Sequence, residues 1–89
     1  MALSPDIMKT YGRIDIAFTH GKGSFLFSED GSKYLDYATG IAVNAFGHSH
    51  PDLINALQDQ ASKLWHVSNL YKIPEQDKVA SLLVKHSCV

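Results

Sequence analysis

The chain has 89 residues, with eight basic and nine acidic side chains and a formal net charge of -1. A chain of this length forms at most one small domain with a marginal core. Its even charge balance argues against a nucleic-acid partner, because binding phosphate requires a clustered basic face. Hydrophobic residues make up 45% and charged residues 19%, which is typical of a globular protein and of neither a disordered tail nor a membrane span.

The N-terminal segment and the single cysteine bear on the cellular compartment. Asp6 interrupts the place where a secretory apolar run would begin, so the sequence predicts no signal peptide. Cys88 cannot form an internal disulfide, and we interpret it as a small apolar packing residue rather than a nucleophile. Both observations favour a reducing, cytoplasmic location.

Three short antiparallel strands are predicted over about residues 14–37. The alternation of Ile14, Ile16 and Phe18 with other residues has the period of a half-buried strand. Further along, Asp30-Gly31 separates two aromatic-rich runs and predicts a hairpin, because such a turn requires positive φ. The strands are expected to form a β-meander.

Two helices are predicted to follow. Residues 38–47 are small and apolar without a sustained period, and we expect residues 38–50 to form an extended or irregular lining segment. A helix is predicted over about 51–65 and a second over about 74–86, with Glu75 and Asp77 near the positive end of its dipole. The fold class is therefore α+β. The apolar stripe of the second helix, expected to be buried, is Val79, Leu82 and Leu83, and that of the first helix is Leu53, Ile54, Leu57, Ala61, Leu64 and Trp65. Together they are more apolar surface than one meander can cover, so the chain alone should leave a sizeable apolar patch exposed.

The segment Gly47-His48-Ser49-His50-Pro51 places two histidines one residue apart. Pro51 is suited to the first position of a helix, which makes His50 or Ser49 its cap. A zinc site requires three or four ligands, and no cysteine or carboxylate joins these histidines at ligand spacing. The segment therefore predicts a bend that begins a helix, and no metal site.

Two other patterns invite catalytic interpretations. The run Gly21-Lys22-Gly23-Ser24 resembles part of a phosphate-binding loop, but a strand follows it where a helix is required, so a tight connection between strands is favoured. Ser68, His66 and Asp36 offer the residue types of a hydrolase triad, yet nothing brings them within hydrogen-bond reach. We predict no catalytic residues among them.

The segment Trp65–Tyr71 has interleaved aromatic and polar residues with no regular period. Loops of this kind often line binding sites. It could equally be a connector in which Trp65 and Leu70 fill the core. The spacing leaves both interpretations open.

Eight motifs occur along the chain: Tyr11-Gly12-Arg13, Gly21–Ser24, Glu29-Asp30-Gly31, Tyr34–Tyr37, Gly40–Asn44, Gly47–Pro51, Gln60 and Leu64–Tyr71. In order and spacing they resemble the N-terminal part of the class III aminotransferases, which are fold-type I enzymes dependent on pyridoxal 5'-phosphate (PLP). Among these motifs, GIAVNAFGH and LWHVSNLY favour the acetylornithine branch, and ornithine aminotransferases tend to have a tyrosine near the position of Ile41. The resemblance begins at about Tyr11.

This resemblance implies transfer of an amino group from N2-acetylornithine to 2-oxoglutarate in arginine biosynthesis, by a homodimer. The related ornithine, succinylornithine and 4-aminobutyrate aminotransferases are the alternatives. The resemblance implies that two segments form a wall of the substrate entrance, partly across the dimer interface: Gly40, Ile41, Ala42 and Val43, and Asn69, Leu70 and Tyr71.

Members of this family are several times longer, so the resemblance also implies that the catalytic apparatus lies outside these residues. None of the seven lysines matches the family's cofactor-binding lysine motif. We therefore expect neither catalytic nor cofactor-binding residues in this chain. If the 89 residues act alone, the alternative is a non-enzymatic binding or dimerisation module; the run Ser87-Cys88-Val89, which lacks a helix cap or polar tail, favours the fragment.

Overall fold

The structure of the chain, a computed structural model, describes residues 3–88. These residues divide into two compact units, one that ends at Leu57 and one that begins at Gln58. The first unit contains three strands, β1 (Phe18–Lys22), β2 (Phe25–Ser28) and β3 (Lys33–Leu35), and a short turn at Thr39–Ala42. Two longer helices follow in the chain, Pro51–Ala61 and Pro74–His86.

The strands form one antiparallel sheet in the order β1-β2-β3, which confirms the predicted meander and the α+β fold class. Lys22 pairs with Phe25, and Phe27 pairs with Lys33. The first strand was predicted from Ile14 but begins at Phe18. Upstream of it the backbone bends, because the Ile16 N–H donates to the Ile14 carbonyl at 2.8 Å in place of a ladder bond.

The predicted turns are present between the strands. Gly23, with φ of 57°, connects β1 tightly to β2, as expected for a strand connection and not for a phosphate loop. Gly31, with φ of 86°, completes the turn from β2 to β3. In that turn the hydroxyl of Ser28 donates to Asp30, and the Ser32 N–H donates to the same carboxylate oxygen at 2.9 Å. These bonds lower the pKa of Asp30 to about 2.

The first long helix ends at Ala61, four residues before the predicted Trp65. Past Ala61 the chain tightens, because the Lys63 N–H donates to the Gln60 carbonyl at 3.0 Å. The Gln60 side chain then donates to the Leu64 carbonyl at 2.7 Å and holds the chain in a new direction. The second helix spans Pro74–His86, and Ile73 provides no side-chain cap.

No apolar side chain is buried among residues 3–88, where the one buried residue is Ser28. Val79, Leu82 and Leu83 are 55%, 57% and 60% exposed, so the second helix does not bury its apolar stripe within the described chain. This agrees with the expectation that the chain alone leaves an apolar patch exposed. A lone helix has no second layer to cover its apolar stripe. Cys88 is likewise exposed rather than packed. Over the described range, neither long helix has the length and apolarity that a membrane crossing requires.

Candidate functional site

The first half of the predicted substrate wall is a turn of unusual handedness. Thr39, Gly40, Ile41 and Ala42 have φ values of 49°, 66°, 62° and 61°, so these consecutive residues all lie in the left-handed region. The Val43 and Asn44 N–H groups both donate to the Thr39 carbonyl at 2.9 Å, which closes the turn. We call residues 39–42 the left-handed turn.

This conformation is costly for three of its residues. Each residue with a Cβ atom loses about 1–2 kcal/mol in left-handed helical geometry, and only Gly40 avoids that cost. Strain of this kind persists where the surroundings impose it, and it is concentrated at functional sites. The Ile41 side chain is 91% exposed, so its conformation is not explained by packing within the chain. The left-handed turn is therefore a candidate site element.

The carboxylate of Asp36 holds the beginning of the left-handed turn. One carboxylate oxygen, Oδ1, accepts the Thr39 N–H at 2.9 Å. The other, Oδ2, lies 2.7 Å from Nε2 of His48. The bond from Thr39 and then the one from His48 lower the pKa of Asp36 below its ordinary value. Both side chains are shielded from solvent, with 7% of Asp36 and 18% of His48 exposed.

His48 is itself fixed to the connection between β1 and β2. The Gly23 N–H donates to the His48 carbonyl at 2.9 Å, and the His48 N–H donates to the Gly23 carbonyl at 2.8 Å. The backbones approach so closely at this bridge that a Cβ atom added to Gly47 would lie 2.7 Å from the Gly23 oxygen. The Ser49 hydroxyl also donates to the Gly21 carbonyl at 2.9 Å. Two glycine-rich motifs that are distant in the sequence thus form one support.

The bend interpretation of the histidine-rich segment agrees with this geometry. Nδ1 of His50 accepts the Asp52 N–H at 3.2 Å, so His50 caps the helix that begins at Pro51. His48 faces Asp36 and not a second histidine. Over residues 3–88, no three histidine, cysteine or carboxylate side chains come together as metal ligands.

The second half of the predicted wall lies in the other unit. The Tyr71 N–H donates to the Ser68 carbonyl at 3.0 Å, and the Leu70 N–H donates to the Ser68 hydroxyl at 3.2 Å, forming a turn. Leu70 and Trp65 are 89% and 86% exposed, so they do not fill a core within the described chain. Tyr71 borders an open cavity of about 550 Å³.

The pair formed by Asp36 and His48 is the feature that sequence reasoning missed. We considered Asp36 only as a partner for Ser68 and His66, and the structure instead engages both of its carboxylate oxygens with Thr39 and His48. The two residues are separated by an irregular segment, so their spacing gives no periodic signal. The remaining sequence signal for this pair was the two glycine motifs at Gly21–Gly23 and Gly47, because glycine allows two backbone segments to approach closely.

The chain is similar in sequence to several known proteins along most of its length. The family model of class-III aminotransferases matches residues 7–89. The chain belongs to the class-III aminotransferases. Within this family it is 58% identical over 78 residues to the acetylornithine aminotransferase of Rhodobacter capsulatus. The aligned residues cover 88% of this chain and 20% of that protein. It is 54% identical over 78 residues to the acetylornithine aminotransferase of Mesorhizobium japonicum, with the same coverage.

A solved structure of the family has a similar fold. The crystal structure of N-acetylornithine aminotransferase from Stenotrophomonas maltophilia superposes with a TM-score of 0.78 at 38% identity, and covers 86% of this chain and 21% of that one. The class-III aminotransferase segment described here therefore spans about a fifth of the length of the relatives it matches.

Class-III aminotransferases generally use PLP, and the described lysines do not fit that group. All seven lysines are exposed, and Lys63, for example, pairs with Asp59 on the surface at 2.8 Å. A lysine that binds the cofactor covalently must be held in a dry pocket beside a phosphate cradle. The described residues do not form such a pocket.

Proposed function

We propose that this chain is the N-terminal part of an acetylornithine aminotransferase. The enzyme transfers an amino group from N2-acetylornithine to 2-oxoglutarate as a PLP-dependent homodimer in the cytoplasm, in arginine biosynthesis. The observation that carries this proposal is the identity of 58% and 54% with two proteins of that name over 88% of the chain. In this proposal the cofactor is bound by residues outside these 89, and the exposure of all seven lysines supports that assignment.

The role of the chain itself is to supply an entrance wall for the substrate. The left-handed turn supports this role, since Ile41 is 91% exposed and is held in a strained backbone conformation, and Val43, directly after the turn, is 73% exposed. Leu70 and Tyr71 supply a second apolar, exposed pair. These side chains touch no reacting atoms in this proposal. They contribute contact area and exclude water around the substrate chain.

The proposal is tested with a chimera. In it, the matching 78-residue segment of the Rhodobacter capsulatus enzyme is replaced by the corresponding segment of this chain. The purified chimera is assayed with N2-acetylornithine, ornithine, N2-succinylornithine and 4-aminobutyrate as amino donors. We expect kcat/KM for N2-acetylornithine within about tenfold of the parent enzyme, and the parent's order of preference. A folded, PLP-loaded chimera that prefers another donor would refute the proposed substrate.

A further inference from the structure

We propose that Asp36 and His48 form a positioning pair that fixes the left-handed turn and, through it, the substrate wall. The inference rests on the proposed function, because it assigns to this pair an effect on substrate binding. Neither residue contacts the substrate in this account. They act by determining where Thr39, the first residue of the turn, is held.

The pair is part of a continuous series of bonds that starts at rigid backbone. Two backbone hydrogen bonds of 2.8 and 2.9 Å between Gly23 and His48 attach the histidine to the hairpin connection. Nε2 of His48 meets Asp36 at 2.7 Å, and Asp36 accepts the Thr39 N–H at 2.9 Å. The Asp36 N–H in turn donates to the Ser24 carbonyl at 2.8 Å. Both ends of Asp36 are therefore fixed to the hairpin.

The left-handed turn requires such an external support. Its remaining backbone bonds, from Ile41 and Ala42 to the Ala38 carbonyl and from Val43 and Asn44 to the Thr39 carbonyl, all join residues of the same short stretch. Local bonds of this kind cannot by themselves oppose a return to right-handed geometry, which is preferred by residues with a Cβ atom. The carboxylate of Asp36 holds the turn from outside, and the hydrogen bond from His48 prevents that carboxylate from rotating away.

The shielding of the pair makes the bond consequential. With 7% and 18% of the two side chains exposed, water cannot readily replace the imidazole as the partner of Asp36. A carboxylate that accepts an N–H bond from neutral or charged imidazole is also held in one rotamer. Loss of the imidazole should therefore free the carboxylate and loosen the Thr39 end of the turn.

Two pairs of substitutions test the inference in the chimera. Glutamine places an amide N–H where the histidine has Nε2. Asparagine carries the same amide group but is too short to reach Asp36, so His48→Gln is the matched control for His48→Asn. At the other residue, Asp36→Asn keeps one acceptor oxygen for the Thr39 N–H. Its amide N–H then faces Nε2 of His48, which accepts it when the ring proton is on Nδ1. Asp36→Ser retains a short cap for the Thr39 N–H but cannot reach His48.

Wall residues act by binding the substrate and not by chemistry, so their displacement raises KM and leaves kcat unchanged. We expect His48→Asn and Asp36→Ser to raise KM for N2-acetylornithine at least fivefold, with kcat and bound PLP within twofold of the unsubstituted chimera. His48→Gln and Asp36→Asn should stay within twofold in all three quantities. Hydrogen exchange of a peptide covering residues 38–46 should accelerate in the first two variants alone.

The outcomes separate this inference from the proposed function. An unsubstituted chimera that is inactive with N2-acetylornithine refutes the function and, with it, the substrate role of the pair. An active chimera whose KM and exchange are the same in His48→Asn and His48→Gln refutes the pair alone. If all four variants lower kcat and bound PLP and raise KM to the same extent, the pair has a merely structural role. If His48→Asn does not fold, the comparison of Asp36→Ser with Asp36→Asn decides the question.

Discussion

At the scale of single residues, side-chain hydrogen bonds to backbone determine the local turns. His50 was one of two candidates for the cap of the helix beginning at Pro51, and the structure selects it through the bond from Asp52 N–H to Nδ1. Ser49, the other candidate, donates instead to Gly21. The sequence limits a cap to a few positions, but the choice among them depends on where the preceding backbone is attached.

Replacing His50 with asparagine should keep or slightly raise the stability of the chimera. Asparagine is a stronger helix cap than histidine, so the free energy of unfolding should change by no more than about 1 kcal/mol in the stabilising direction. Denaturant unfolding of the two proteins side by side measures this change. A loss above about 1 kcal/mol would indicate that the contact of the His50 ring with Phe46, at 6.0 Å between centroids, contributes more than the cap.

The turn between β2 and β3 should weaken in acid. The folded-state pKa of Asp30 is lowered from 3.8 to about 2, so its ionised form is the stabilising one. Its contribution is fully present above the ordinary pKa and is lost as the pH falls from about 4 to about 2. We expect Asp30→Asn to lower the free energy of unfolding of the chimera at pH 7. The substitution should also reduce the loss of that free energy between about pH 4 and pH 2, and chemical unfolding at several pH values measures both effects. Equal slopes for both proteins would contradict the assignment.

At the scale of elements, periodic patterns predicted the helices and strands that local preferences determine. They did not predict backbone conformations that depend on long-range contacts. The second helix begins at Pro74 and ends at His86, where its proline and basic C-terminal residues indicated. The left-handed turn was expected only as an irregular segment, because nothing in Thr39, Ile41 or Ala42 favours positive φ. Its handedness follows from attachment to Asp36, which no periodicity records.

The close approach of Gly47 to Gly23 predicts that alanine substitutions at three glycines lower stability by different amounts. Gly47 has φ of 76° and no room for a Cβ atom, Gly23 has φ of 57° with nothing within 4 Å, and Gly12 has neither constraint. In the chimera we expect Gly12→Ala to be nearly neutral, Gly23→Ala to cost about 1 kcal/mol and Gly47→Ala to cost about 2–4 kcal/mol. Thermal unfolding ranks the three proteins. Equal costs for Gly23→Ala and Gly47→Ala would show that the two segments do not touch.

At the scale of the whole molecule, the apolar residues are correctly patterned but lie uncovered. The first-helix stripe includes Leu57 at 71% exposure, and the second-helix stripe includes Leu82 at 57%. Binary patterning identified these faces, and it could not show that their cover is absent from the described residues. Such faces in the relatives belong to proteins about five times as long.

The isolated chain should therefore bind a hydrophobic dye and associate with itself. Exposed apolar patches on proteins tend to associate, and a chain whose described residues bury no apolar side chain has little cooperative stability. Sedimentation and dye fluorescence across a range of concentrations measure both effects. Replacing Leu82 and Leu83 by glutamate should reduce them, while glutamate at the already polar positions Gln76 and Ser81 serves as the matched control.

Mixing the purified 89-residue chain with a Rhodobacter capsulatus acetylornithine aminotransferase from which the matching segment has been deleted tests the central claim most directly. If this chain is the N-terminal part of such an enzyme, the two proteins should bind saturably at a ratio of one to one. Dye binding should then fall, and transfer of the amino group from N2-acetylornithine should appear in proportion to the complex formed. A chain that instead unfolds as a cooperative, concentration-independent monomer, binds no dye and leaves the deleted enzyme inactive would contradict the account and show an independent module.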